Sequence, residues 1–187
     1  MQDPEVRAGL ELVRLRDTAR NDPSLFLSSV DSYPAALTEK PLIQNALSQL
    51  NADEAGAWIA RHPAVVDAGF VARTAAAFFE WNRDQAIAWV GSLAPGEAQN
   101  RALASLASQW TDSGNATQAA STIAAITDPR LQTSTRFQVF NTLYRKDRAA
   151  AVQWLGTQPL APEIRANWET IVSAVAESGT NPVIDVD

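Results

Sequence analysis

Along this chain apolar residues return every three or four positions, in short runs separated by polar breaks. Ala86, Trp89, Val90 and Leu93 stand at i, i+3, i+4 and i+7, one face of a helix. Leu103, Leu106, Ala107 and Trp110 repeat the spacing, and Phe137, Phe140 and Leu143 or Tyr144 carry it again. Turn chemistry falls between the runs, at His62-Pro63, Ala94-Pro95-Gly96, Thr127-Asp128-Pro129 and Gln158-Pro159. Asp3-Pro4, Asp22-Pro23 and Asp128-Pro129 each read as an N-cap followed by proline at the first helical position, where its missing N–H costs nothing. Strand-like alternation is confined to Val183-Ile184-Asp185-Val186-Asp187, read as a tail. The pattern predicts a lone helix near 4–20 and five helical hairpins near 22–50, 53–81, 83–111, 115–145 and 147–178.

The hairpins repeat. Asp22, Asp53, Asp84, Asn115 and Asp147 are spaced by 31, 31, 31 and 32 residues, and each precedes an apolar-periodic segment. A period of this size marks stacked supersecondary units. As N-caps of the first helices, these side chains would each satisfy orphan N–H groups for about 0.5–2 kcal/mol. Trp58 and Trp89 lie five residues past their Asp and Trp154 lies seven past Asp147, which implies a two-residue shift in the later units before the shared apolar core. A second ladder runs Arg73, Arg101, Arg136 and Arg165. It is expected near the C-terminus of each first helix, where a cation complements the macrodipole and bonds free carbonyls. Arg73, Arg101 and Arg136 each precede an Asp by 11 residues, about 16 Å along a helix, so no ion pair forms within a unit. The functional alternative is an arginine row that faces a groove and reads carboxylates or phosphates.

Ala86-Ile87-Ala88-Trp89-Val90, the turn Ala94-Pro95-Gly96, the Arg101 to Asp112 spacing and Ala151-Val152-Gln153-Trp154-Leu155 together make a recurring form. It resembles the short tetratricopeptide- or HEAT-like α-solenoid repeats of bacterial proteins, although the longer tetratricopeptide pattern is not matched position by position. The reading is an all-α chain: a right-handed α-solenoid of about five antiparallel hairpins over 22–178, with a capping helix at 1–21 and a tail at 179–187. The resemblance implies a scaffold that binds peptides or partner domains along a curved face.

Composition narrows the chemistry. The chain has 187 residues and a net charge of −6, which argues against a nucleic-acid partner and against charge-driven attachment to anionic lipid. It has no cysteine and one histidine, so thiolate chemistry, Cys-ligated zinc and His-rich metal sites are excluded, and neither metal nor cofactor is expected. His62 before Pro63 reads as a helix-end side chain bonding terminal carbonyls. Glu80 and Asp84 have i,i+4 spacing for acid–base work but straddle a hairpin junction, and Asn115-Ala116-Thr117 is a sequon by coincidence. Met1 to Glu5 carries no signal peptide, and apolar runs such as Ala75 to Phe79 fall far short of the roughly 20 residues of a membrane span, so direct insertion is not expected. The lack of cysteine places the bacterial periplasm slightly ahead of the cytoplasm, with room for an upstream signal or anchor.

Trp58, Trp89 and Trp154, mid-helix among Ala, Val and Ile, are expected in the core. Trp81, Trp110 and Tyr144, near second-helix ends beside polar residues, are the candidates for a contact surface, and Trp168 is read as a core cap or an anchor. Arg145, Lys146 and Arg148, with Arg130 and Arg136 nearby, form the one local basic cluster and would attract an acidic partner segment. The leading expectation is a non-enzymatic protein- or peptide-binding scaffold, a module of a bacterial envelope or regulatory assembly, with self-association left open. The alternative is an all-helical enzyme, or an accessory domain of one acting on polysaccharide or peptidoglycan. The binding candidates are Trp81, Trp110, Arg136, Tyr144, Arg145, Lys146 and Arg148.

Overall fold

A computed structural model of the protein describes residues 4–30, 37, 39–62 and 65–178. The expected tail strand and the Asp3 cap lie outside the described residues. Among those described there are eleven α-helices and no strand. The lone N-terminal helix is α1 (Pro4–Asn21). The expected first helices are α2 (Pro23–Ser29), α4 (Ala52–Arg61), α6 (Arg83–Ser92), α8 (Ala116–Ala124) and α10 (Arg148–Gly156). The second helices are α3 (Lys40–Leu47), α5 (Ala68–Trp81), α7 (Glu97–Asp112), α9 (Pro129–Lys146) and α11 (Pro162–Ser178).

Each first helix starts at a side-chain cap, but two caps are not the residues expected. Asp22, Asn51, Asn82, Asn115 and Asp147 accept the backbone N–H of Leu25, Glu54, Gln85, Gln118 and Ala150 at 2.9–3.2 Å. Asp53 and Asp84 sit inside the first turns of α4 and α6, where a carboxylate favours the positive end of the macrodipole without closing the helix. Asparagine caps as well as aspartate does, because a side-chain Oδ1, of an amide in one and a carboxylate in the other, is the acceptor in both. With the caps placed at Asn51 and Asn82, Trp58, Trp89 and Trp154 all lie seven residues past their cap. The two-residue shift disappears. Asn82 also closes α5 and Asp147 also closes α9, so a single residue joins α5 to α6 and α9 to α10.

The chain forms two compact units, Met1–Ala94 and Pro95–Asp187, and the division falls between α6 and α7. In the first unit α1 packs on α2 and α3, and α5 packs on α4 and α6. The indole of Trp58 donates to the Leu27 carbonyl at 3.1 Å, and that of Trp89 donates to the Gly56 carbonyl at 2.9 Å. Leu27 and Gly56 both stand five residues past their caps, so the same register tie joins α2 to α4 and α4 to α6. The rings are buried, and burying them is affordable because each N–H has a partner. Gly56 is required there: a Cβ at that position would lie 2.8 Å from the Phe78 ring and 3.0 Å from the Trp89 nitrogen.

In the second unit α9 is the hub, packing against α7, α8, α10 and α11. Trp154 repeats the indole tie, donating to the Ala116 carbonyl at 3.1 Å, one helical turn from the equivalent register. Ala102, Ala107, Ala119 and Ala151 have essentially no exposed surface, which lets the helix backbones approach closely around the larger rings. Trp168 of α11 closes the stack by packing edge-on against Phe137 at 5.2 Å and alongside Phe140.

The arginine ladder does not survive as a structural repeat. Arg73, Arg101, Arg136 and Arg165 fall at the sixth, fifth, eighth and fourth positions of their helices, so equal spacing in sequence does not give equivalent places in the fold. Arg101 pairs with Glu97 in its own helix, and Arg73 stands 5.7 Å from the Phe70 ring. Arg165 alone shows the expected contact with the end of a first helix, donating to the Gln158 carbonyl at 2.9 Å. The residues that share its position are Asn100 and Gln132, each fourth in its helix. Gln132 donates to the carbonyls of Ile123 and Ile126, and Asn100 accepts from the N–H of Thr127. The recurring device is a polar side chain of any type that ties the start of a second helix to loop backbone.

Candidate functional site

The second unit carries an open groove of about 560 Å³ where α9 ends and α10 and α11 diverge. Three elements build it. From α9 comes Tyr144, 93% buried, whose ring is fixed edge-on by Phe140 at 5.7 Å. From α10 come Arg148 and Val152, one helical turn apart and therefore on one face. From α11 come Ala166, Thr170, Ser173 and Ala174, at i, i+4, i+7 and i+8, with Glu169 beside them. Their face turns outward while Trp168 and Val172 turn into the core.

The polar groups of the groove are linked. The Tyr144 hydroxyl lies 2.9 Å from Ser173 Oγ, and Arg148 Nη2 donates to that Ser173 Oγ at 3.5 Å. The guanidinium of Arg148 sits 5.3 Å from the centroid of the Tyr144 ring, in range of a cation–π interaction. An exposed arginine is thus held at two points, over an aromatic face and against a hydroxyl, and its remaining N–H donors are available to the groove. Among the described residues no carboxylate forms an ion pair with Arg148.

The candidate residues are distributed as follows. Tyr144 and Arg148 meet in the groove. Lys146 instead donates to the carbonyls of Thr111 and Asp112, both at 3.2 Å, and approaches the Asp112 carboxylate, capping the C-terminus of α7. Arg145 is exposed at the end of α9. Arg136 is 95% buried within the second unit, and its Nε has no hydrogen-bond partner there; loss of solvent draws its guanidinium below the usual arginine value. Trp110 is buried in the second unit, whereas Trp81, the last residue of α5 in the first unit, is 69% exposed.

The chain's one histidine is a helix-end side chain: the His62 ring stacks on Trp58 at 4.0 Å with Nδ1 3.0 Å from the Trp58 carbonyl. Glu80 and Asp84 stand on different helices, separated by the Asn82 junction. Among the described residues no cluster of His, Asp or Glu is placed to hold a metal ion, and no helix is long and apolar enough to cross a membrane.

The groove residues missed from sequence are Val152, Ala166, Glu169, Thr170, Ser173 and Ala174. Their signal was present as the spacing of small residues Ala166, Thr170, Ser173 and Ala174 opposite Trp168 and Val172, but small residues on an outer helix face do not announce a site. The fold therefore defines an all-helical protein with an open polar groove. No family model matches the chain, and no curated protein and no solved structure shows significant similarity to it.

Proposed function

We propose that the protein is a non-enzymatic scaffold that receives a protein or peptide segment in the groove between α10 and α11, as a module of a larger envelope or regulatory assembly. In this reading the hairpins are solenoid repeats, right-handed and stacked through the recurring cap-to-tryptophan tie. The observation that carries the reading is the Arg148–Tyr144–Ser173 arrangement on an open wall of small side chains. A binding groove needs fixed polar anchors and room for a backbone, and this one has both.

The test is capture of partners from the native host with the full chain, followed by hydrogen exchange on the complex with the purified partner. Slowed exchange at the amides of 144–152 and 166–174 is the expected result. Protection elsewhere, with those segments unchanged, refutes the groove as the binding surface.

A further inference from the structure

We infer that the groove selects a peptide segment bearing an acidic side chain, whose carboxylate is received by Arg148. The inference rests on the groove being the binding surface and adds the chemistry of its occupant. Arg148 is the groove's cation, and no carboxylate among the described residues pairs with it. Its neighbour Lys146 is committed to the carbonyls at the end of α7, so it does not share the role.

Arg148 is also preorganised. The guanidinium carbon lies over the Tyr144 ring, 5.3 Å from its centroid, Nη2 stands 3.5 Å from Ser173 Oγ, and the Tyr144 hydroxyl hydrogen-bonds that Oγ at 2.9 Å. A planar fork held in this way binds a carboxylate with less ordering cost than a free surface arginine or lysine. The occupant's backbone has a place to lie. Ala166, Thr170 and Ala174 are exposed and small, and they run about 12 Å along α11. Glu169 lies beside that path and opposes a second acid there, which favours one acidic side chain over an acidic run.

The experiment selects a phage-displayed library of random twelve-residue peptides on the full chain and titrates the winners against variants. The winners are expected to share an Asp or Glu at a fixed position and to bind more weakly as salt rises. Arg148→Gln should weaken them by about tenfold or more, and Arg148→Lys by less. Glu169→Gln should tighten them by about two- to fivefold, a change of sign that general loss of structure does not produce. Ala174→Trp, which fills the groove from an exposed position, should abolish binding. If Arg148→Gln does not fold, Ser173→Ala serves in its place and is expected to weaken binding by about twofold or more.

Winners that fail on Ala174→Trp yet bind Arg148→Gln as tightly as wild type overturn the carboxylate inference and leave the groove standing. Winners indifferent to Ala174→Trp, or no winners at all, overturn the groove reading and the inference together.

Discussion

Replacing Gly56 with alanine tests the tryptophan tie directly. In an open helix the change is stabilising, because glycine costs about 1 kcal/mol relative to alanine in a helix interior. At Gly56 the new methyl would meet Phe78 Cε2 at 2.8 Å, Trp89 Nε1 at 3.0 Å and Trp89 Cδ1 at 3.2 Å. Neither ring can swing away, since both are buried and packed on each other with centroids 5.6 Å apart. Overpacking of this kind costs about 1–3 kcal/mol. Displacing the indole also lengthens its 2.9 Å bond to the Gly56 carbonyl, which is worth about 0.5–1.5 kcal/mol. Gly56→Ala is therefore expected to destabilise by about 1–3 kcal/mol after the helix-propensity gain is allowed for. At this chain length that lowers the melting temperature by roughly 2–12 °C. Gly91→Ala is the control: it lies in α6, where the added methyl meets nothing within 4 Å beyond its own stretch of helix backbone, and should stabilise by about 0.4–1 kcal/mol. Urea unfolding followed by circular dichroism, with hydrogen exchange at α4–α6 to assign the loss to the first unit, reads both. The reasoning fails if Gly56→Ala is as stable as wild type or more so, or if the two substitutions shift stability in the same direction.

Three further outcomes follow from the same contacts. Asn82→Ala should cost about 0.5–2 kcal/mol in urea unfolding, and Asp84→Ala less, about 0.3–1 kcal/mol, because the first removes the cap of α6 and the second a charge in its first turn; equal costs would return the capping role to Asp84. Lys146→Met should destabilise the second unit by about 0.5–1.5 kcal/mol through loss of the bonds to the end of α7, with part of the effect disappearing at high salt; an unchanged midpoint at low salt contradicts that role. Asp67 caps α5, and the N–H of Phe70, then Gln44, hold its carboxyl below the ordinary aspartate value. Its folded form thus binds a proton less readily than the unfolded one, so its contribution is present above the ordinary value of 3.8 and lost as pH falls through the lower folded value. Asp67→Asn keeps a cap acceptor without the charge, so the stability gap to wild type should close between about pH 5 and pH 2; a gap that stays constant over that range removes the charge from the account.

Helices were legible because their signals are local. Periodic apolar spacing and Asp-Pro starts give α2 and α9 at their observed beginnings, and the remaining elements fall within a few residues of expectation. Exact caps were harder, because Asn51 and Asp53, or Asn82 and Asp84, are both chemically suited to cap a helix two residues apart. The decision belongs to packing. The caps at Asn51 and Asn82 each stand seven residues before a tryptophan whose N–H reaches a backbone carbonyl of the preceding first helix. Equal spacing of arginines misled for the opposite reason. Helix lengths and loops vary between units, so a constant interval along the chain drifts around the helices and places Arg136 inside and Arg101 outside.

The groove was hard to read because a search for contact residues favours large rings, and in packed helices large rings are the first side chains to be buried. Trp110 lies in the core, and Tyr144 exposes little beyond what supports Arg148. Where α9 offers Phe137 and Phe140 to its neighbours, α11 turns Trp168 back onto those rings and leaves Ala166, Thr170, Ser173 and Ala174 on its outer side. Small side chains there fill too little space to close the angle between α10 and α11, and the groove is what remains. Among the described residues, Arg148 is the one cation that lines it. Arg148 stood in the sequence as one of three neighbouring cations, and only the fold separates them. Lys146 points back to cap α7, Arg145 lies exposed at the end of α9, and Arg148 begins α10 over the Tyr144 ring, facing the open wall.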